Sequence, residues 1–295
     1  MENNPHKAGF VSIVGKPNVG KSTLMNALVG EKISIITSKA QTTRHRIMGI
    51  VNGEDFQIVY SDTPGIIEPK YELQKSMMRF VRFSLEDADV VLFVTDIFEK
   101  YDEDDVIKRL HKTDAPIFML INKIDLAKPE QIEEKIQYWK DKINAKKIIT
   151  VSALNKINLD EVFQTIMDHL PEHPAYYDKE ELTDKPERFF AAEIIREKIF
   201  QNYDKEIPYS TEVVITDFKE KETIIEIRAQ IYVERDSQKG IIIGKKGEML
   251  KKIGMAARKD MEDFFQKKVF LEQHVKVEPD WRNKDRTLKN FGYNN

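Results

Sequence analysis

The sequence predicts an α/β domain with a mostly parallel sheet and helices on both faces, followed by a smaller α+β domain. Three observations carry this. The chain has 295 residues, enough for about two independent cores. From residue 8 to about 170, short β-branched apolar runs alternate with longer amphipathic stretches, the pattern of strands buried on both faces. The segment "LPEHPAYYDKEELTDKPER" then interrupts with prolines among acids, and beyond it the order of elements changes. The expected boundaries are 1–172 for the first domain, 173–187 for a stiffened linker with little core of its own, and 188–295 for the second domain with its tail.

In the first domain the strand candidates are "GFVSIVG", "HRIMGIV", "FQIVYSDTPG", "DVVLFVTD", "PIFMLINK" and "KIITVSA". Each is of strand length, rich in Val, Ile and Phe, and bounded by turn-forming residues. "KSTLMNALVG", "ELQKSMMRFVRFSLEDA" and "PEQIEEKIQYWKDKIN" have helical spacing. The short connection around Val51–Asp55 suits a hairpin, so one edge strand should be antiparallel. In the second domain the order is helix ("FFAAEIIREKIFQNY"), strand ("TEVVITDF"), strand ("TIIEIRAQIYVER"), helix, helix ("MLKKIGMAARKDMEDFFQ") and strand ("VFLEQHVKVEP").

The composition narrows the function classes. With no cysteine there is neither a disulfide nor a thiolate metal site, which suits a reducing cytoplasm. No apolar run reaches the ~20 residues that span a bilayer, and the start has no secretory or transit pattern. The net charge of −3 does not suggest nucleic acid, but its distribution does. Between Lys239 and Lys259 stand Lys239, Lys245, Lys246, Lys251, Lys252, Arg258 and Lys259 against Glu248 alone. The acidic run at 99–105 is read as a solvated loop.

"GKPNVGKST" (Gly15, Lys16, Pro17, Asn18, Val19, Gly20, Lys21, Ser22, Thr23) follows a strand candidate and opens a helix candidate, the context of a phosphate-cradling loop. Glycines let backbone N–H groups converge on a phosphate, and the helix N-terminus adds its dipole. Lys21 would reach the β- and γ-phosphates, and Ser22 would ligate Mg²⁺. "SDTPG" puts Asp62, Thr63, Pro64 and Gly65 at a strand end, where the carboxylate can hold Mg²⁺ through water and the Gly65 N–H can meet a γ-phosphate. "INKID" places Asn122, Lys123 and Asp125 at another strand end. The Asp125 carboxylate can accept from both N1–H and N2–H₂ of guanine, a donor pair adenine lacks. The aliphatic stem of Lys123 can cover the ring, and "VSAL" (Ser152, Ala153, Leu154) closes the pocket. Together these predict a guanine-nucleotide site at the ligand-binding edge of an open α/β sheet.

These motifs, with "QTTRHRIMGI" and a second glycine loop, resemble the bacterial Era GTPase family over nearly the whole chain. The resemblance implies a P-loop GTPase domain joined to a type II KH RNA-binding domain. It implies GTP and GDP with Mg²⁺ as ligands, and the 3′ end of 16S-type small-subunit rRNA and the small ribosomal subunit as partners. It also implies a role in assembly of that subunit, as a cytoplasmic monomer with a fraction peripheral at the membrane. It assigns the Mg²⁺-sensing threonine to Thr43, with Thr42 the alternative, so the metal set is Ser22, Thr43 and Asp62. After Gly65 comes Ile66, not the glutamine that orients water in Ras-type proteins, so intrinsic hydrolysis should be slow. In G proteins of this kind Asn18 can ligate K⁺; a turn role for Asn18 is equally consistent. The candidate catalytic set is therefore Lys21, Thr43, Gly65 and Asn18.

The second loop, Gly244-Lys245-Lys246-Gly247, lies between helices, without a Ser or Thr for Mg²⁺. The α-β-β-α-α-β order and the GxxG loop resemble a type II KH domain, whose loop clamps about four nucleotides of single-stranded RNA. Lys245, Lys246 and Lys251 would meet phosphates, with Ile241, Ile242 and Ile243 forming an aliphatic floor for bases. Arg44, His45 and Arg46 are read as facing solvent or RNA. Trp281 is read as packing on its own domain, and Arg282, Lys284 and Arg286 as further candidate phosphate contacts. A GTP-gated subunit of an RNA-modifying enzyme and a static RNA binder are the rival functions; no cofactor motif favours the former.

Overall fold

A computed structural model describes residues 6–99, 110, 113–140 and 142–293; most of the acidic run at 99–105 lies outside them. The described chain divides into two compact units. The first runs to Glu68 and resumes from Met77 to Asp184; the second takes Pro69–Ser76 and the chain from Lys185 onward.

The first unit carries a six-stranded sheet. Its strands are β1 (Lys7–Val14), β2 (Ile47–Asn52), β3 (Phe56–Asp62), β4 (Val90–Asp96), β5 (Ile117–Asn122) and β6 (Lys147–Thr150), in the order β2-β3-β1-β4-β5-β6. Every pair is parallel except β2 with β3, the antiparallel edge expected from the short connection between them. Both β4 and β5 are buried along their whole length, which is why they read as unbroken apolar runs. Helices α1 (Lys21–Val29), α2 (Glu72–Glu86), α3 (Pro129–Lys140) and α4 (Leu159–Met167) lie between or after the strands. Because β1 pairs with β3 on one side and β4 on the other, connections diverge at its C-terminal end, the switch point where open sheets bind ligands.

Residues 173–184, read from the sequence as a linker, are fastened to this unit along its exposed sheet edge. Gln57 on β3 is fully buried and organises the attachment. Its Oε1 accepts from the N–H groups of Tyr176 (2.7 Å) and Tyr177 (3.0 Å), while Nε2 donates to the Tyr177 carbonyl (2.9 Å). On β2, Ile50 N–H donates to the Leu182 carbonyl (2.8 Å) and Met48 N–H to Asp184 Oδ1 (3.0 Å). The segment thus satisfies polar groups that an open edge strand would leave to solvent.

The second unit is built from α5 (Glu187–Asn202), β7 (Glu212–Glu220), β8 (Ile224–Val233), α6 (Asp236–Ile243), α7 (Glu248–Phe265), β9 (Lys268–Val277) and α8 (Asp285–Asn290). β8 is central, antiparallel to β7 and parallel to β9. Alternate residues of β8 (Ile225, Ile227, Ala229, Ile231, Val233) point inward and meet Ile195 and Ile199 of α5 and Ile253, Ala257 and Met261 of α7 in one core. Trp281 is fully buried and its indole N–H donates to the Ser210 carbonyl (3.0 Å), so it packs on its own unit and is not available to a base.

Candidate nucleotide site and RNA-binding loop

The motif residues of the first unit gather at the edge of the sheet where its parallel strands finish: Asp62 and Asn122 end strands, Gly15 and Ser152 follow them, Lys21–Thr23 open α1, and Thr43 precedes β2. Gly15 leaves β1 with φ 155°, and a Cβ there would lie 2.1 Å from the Val94 carbonyl oxygen, so the phosphate loop can lie against β4 only with glycine at this position. Asn18 has a left-handed φ of 65°, and its carbonyl accepts from Lys123 Nζ (2.6 Å). Lys21, at the first turn of α1, is buried, and its Nζ donates to the Lys16 carbonyl (2.8 Å). Burial lowers its pKa from the ordinary 10.5 to about 8, partly opposed by the nearby carboxylates Asp62 and Glu99. The Lys16 side chain itself faces Glu99 (3.6 Å).

Ser22, Thr43 and Asp62 converge beside this lysine. The Ser22 hydroxyl donates to Asp62 Oδ2 (2.7 Å) and lies 2.9 Å from Thr43 Oγ1; Thr43 in turn is 3.5 Å from the same carboxylate oxygen. Thr42 points elsewhere, donating to the Lys39 carbonyl (2.6 Å), so Thr43 is the threonine brought to the cluster. Burial raises the Asp62 pKa against the hydrogen bonds and the Lys21 charge that lower it. Its Oδ1 is buried with no hydrogen-bond partner. An all-oxygen donor set with an orphaned carboxylate oxygen fits a hard divalent cation such as Mg²⁺.

The Thr63 hydroxyl donates to the Ile13 carbonyl (2.8 Å), tying the turn after β3 to β1, a supporting position rather than a ligand-facing one. Gly65 follows Pro64 and lies so close to the phosphate loop that a Cβ would come within 2.6 Å of the Pro17 backbone. Ile66 is buried and its N–H donates to the Gly15 carbonyl (3.0 Å). Pro17, Asn18, Gly20–Thr23, Ile35–Lys39, Gln41–Thr43, Gly65 and Lys123 line a cavity of about 350 Å³.

Besides Lys123 on the Asn18 carbonyl, a second side chain joins the base-side loops to the phosphate loop. Asn122 at the end of β5 donates from Nδ2 to the Val19 carbonyl (2.8 Å), and its Oδ1 accepts from Ala153 N–H (2.9 Å). Asp125 accepts from the Ser152 hydroxyl (2.5 Å) on Oδ1. Leu154 is largely exposed. Asp96, which was not singled out in the sequence, lies 2.6 Å from Lys123 Nζ. An acid closing a buried apolar strand next to the strand of "INKID" was the available signal.

In the second unit, α6 ends at Gly244 (φ 70°) and α7 begins after Gly247 (φ 80°), with Lys246 also left-handed at φ 53°. A Cβ on Gly244 would meet the Met249 side chain at 2.7 Å. Lys245, Lys246 and Lys251 are exposed, and Ile243 is half-buried. Ile242 corrects the sequence reading: it is fully buried, with its carbonyl accepting from Tyr203 OH (2.7 Å), so it belongs to the core and cannot floor a base site. Successive helical residues turn by about 100°, and Ile241 is accordingly the exposed one of the run.

Two further expectations change. Arg44 is fully buried instead of facing solvent or RNA, and Arg46 is held by Asp87 (2.7 Å) and the Ser61 hydroxyl (3.0 Å). Arg282 is paired with Glu234 (2.5 Å) and Lys284 faces Glu278 (3.4 Å), whereas Arg286 is exposed.

A family model described as a 50S ribosome-binding GTPase matches residues 10–123, and a KH domain model matches residues 206–282. GTPase Era of Geobacter metallireducens is 47% identical over 297 residues, covering 99% of this chain and 100% of that protein. The chain belongs to the Era GTPase family. GTPase Era of Ruminiclostridium cellulolyticum is 43% identical over 291 residues, with 98% of each chain covered. Among solved structures, Era in complex with MgGDPNP and nucleotides 1506–1542 of 16S ribosomal RNA is similar with a TM-score of 0.91 and 42% identity, over 98% of this chain and 99% of that one. A variant of Aquifex aeolicus Era bound to GDP.AlF4⁻ gives 0.93 at 42% identity, over 97% and 99%. As an Era-family member the protein is a GTP-hydrolysing enzyme with a P-loop GTPase domain and a KH domain.

The lowered Lys21 pKa has a measurable consequence. With a pKa of about 8 the ammonium is half deprotonated near pH 8 when no nucleotide is bound; phosphate oxygens beside it restore the charge. GDP affinity should therefore be flat below that pH and fall above it, by up to about tenfold per unit, with net proton uptake on binding at about pH 9. In the nucleotide-free protein the sign is opposite. The folded pKa lies below the unfolded one, so this group makes the fold more stable as pH rises from about 8 to 10.5. Calorimetry in buffers of differing ionisation enthalpy tests this; GDP affinity unchanged between about pH 7 and about pH 9, below the range in which the guanine N1–H itself ionises, would show that Lys21 keeps its ordinary pKa.

Proposed function

We propose that this GTPase is a nucleotide-controlled switch that binds the 3′ end of small-subunit rRNA through Gly244–Gly247 and acts in assembly of the small ribosomal subunit. The observation that carries the reading is the convergence of Ser22, Thr43 and Asp62 beside buried Lys21, in a chain that also presents an exposed lysine pair on a GxxG turn. A loop residue that meets the metal site only when a γ-phosphate is present is the general basis of such switches.

In this reading Lys21, the phosphate-loop N–H groups and Gly65 position the phosphates, and Ser22, Thr43 and Asp62 hold Mg²⁺. When bound, the metal would neutralise charge developing on the phosphate oxygens. Asp125 selects guanine, and Ser152, Ala153 and Asn122 frame the base. The buried side chain of Ile66 cannot orient the attacking water, so slow basal hydrolysis is expected. We take residues 1–172 and 188–295 as the two domains and 173–187 as the segment that joins them, of which 173–184 is strapped to the first. The protein works as a cytoplasmic monomer, with a fraction peripheral at the membrane. Among the described residues, no helix is long and apolar enough to cross a membrane.

Asn18 lines the same cavity as Lys21 and Ser22, and no arginine is among the described residues lining it. K⁺ held by Asn18 would supply the positive charge that an arginine finger gives elsewhere. Hydrolysis should then be faster in KCl than in NaCl at equal ionic strength, and Asn18→Ala should remove most of the difference. Equal rates in the two salts would leave Asn18 as a turn residue.

Replacing Lys245 and Lys246 together by Asp tests the RNA assignment. Both side chains are exposed and both glycines stay, so the turn should survive. Binding of a single-stranded RNA matching the 3′ end of small-subunit rRNA should be lost, along with any stimulation of GTP hydrolysis by that RNA. Any residual binding should lose ~0.7 units of salt slope for each phosphate contact removed. Basal GTPase should persist. RNA binding at the parental affinity with unchanged circular dichroism would overturn the assignment.

A further inference from the structure

Asp96 closes β4, next to Asn122 in the parallel β4–β5 register. Its two oxygens do different work. Oδ1 accepts from the backbone N–H groups of Phe98 (2.9 Å) and Glu99 (2.8 Å), which folds the chain into a tight turn and fixes the carboxylate at the strand end. Oδ2 accepts from Lys123 Nζ at 2.6 Å. The same ammonium donates to the Asn18 carbonyl at 2.6 Å. The carboxylate is 11% exposed and the lysine side chain 31%, so the pair is shielded more than an ordinary surface ion pair.

Lys123 is in an unusual position for so flexible a residue. Its backbone is left-handed at φ 65°, a conformation disfavoured for a residue with a Cβ. Its side chain spans from the base-side loop after β5 back to the phosphate loop. Four methylenes held at both ends form a rigid apolar strip; with a free ammonium they would sample many rotamers. The groups that hold the far end are the Asp96 carboxylate and one backbone carbonyl, and of these Asp96 alone carries charge.

We infer that Asp96 is a positioning residue that fixes the stem of Lys123 as a wall of the base pocket and thereby sets how long the guanine nucleotide stays bound. The inference rests on the guanine-site reading above. The carboxylate does not touch the nucleotide; it removes rotamer freedom from the lysine before the base arrives, so ordering that lysine is not charged against binding. It also ties the phosphate loop to β4 through Lys123 and Asn18, so phosphate and base contacts would be released together.

The test is nucleotide release from the full-length protein, followed with a fluorescent GDP analogue. Asp96→Asn keeps a side-chain oxygen for the Phe98 and Glu99 N–H groups but removes the charge facing Lys123. Asp96→Ser is a second variant that retains a turn acceptor if the first folds poorly. Either should release GDP on the order of tenfold faster, and raise KM for GTP far more than it changes kcat. Lys123→Met should speed release too, and the double variant Asp96→Asn with Lys123→Met should be no faster than the worse single one, because both remove one coupled unit. A purely structural role for the turn would instead give additive effects and a fall in Tm.

The parallel control is Asp125→Asn, which should move preference from guanine towards xanthine. If that switch occurs while both Asp96 variants release GDP at the parental rate, the base pocket stands and the inference about Asp96 falls. If Asp125→Asn leaves GDP affinity unchanged, the guanine-site reading itself has failed.

Discussion

The nucleotide site depends on one buried amide. Asn122 ends β5 with both halves of its side chain engaged: Nδ2 holds the Val19 carbonyl of the phosphate loop and Oδ1 holds the Ala153 N–H of the base-side loop. No other type of side chain of that size supplies a donor and an acceptor at fixed separation. The requirement propagates. A Cβ at position 20 would lie 2.2 Å from Asn122 Nδ2, so Gly20 serves the amide's approach as well as its own φ of 97°. The phosphate loop is then held on both sides, by Asn122 at Val19 and by Lys123 at Asn18. Preorganisation of this kind lowers the ordering cost of binding.

The sheet delivers these groups. Parallel strands end on the same side, so acids, amides and glycines placed after apolar runs come together across more than a hundred residues of sequence. Asp62, Asp96 and Asn122 each close a strand. Desolvation there has a cost, visible in the Lys21 pKa falling and the Asp62 pKa rising. Both shifts are tolerable in a site that waits for a polyanion and a cation, whose arrival restores the charged forms.

Most of this was legible in the sequence because the chemistry demands particular residue types at strand ends. Gly15, Lys21, Ser22, Asp62, Asn122 and Asp125 have few substitutes, and the apolar runs before them fix the strands. What was not legible depends on which way a side chain faces or what a backbone edge needs. Three consecutive isoleucines at 241–243 do not reveal their orientation until the helix phase is known, and the phase buries Ile242. The segment 173–184 looks like a linker in composition; only the buried amide of Gln57 and the open hydrogen bonds of β2 give it a place. Arg44 sits in a polar run beside Arg46, yet one is fully buried and the other is paired at an aspartate. Asp96 was hidden because an acid after a strand usually marks only a turn.

That Asn122 makes the phosphate loop and the base loop one frame is tested most directly by GDP affinity in an Asn122→Ala variant whose fold is verified by circular dichroism. Removing the amide leaves the Val19 carbonyl and the Ala153 N–H without their partner, each worth ~1–3 kcal/mol if buried. GDP affinity should fall at least ~30-fold, and exchange of the Ala153 amide hydrogen should accelerate while β4 and β5 stay protected. GDP affinity within about twofold of the parent, with Ala153 still protected, would contradict it.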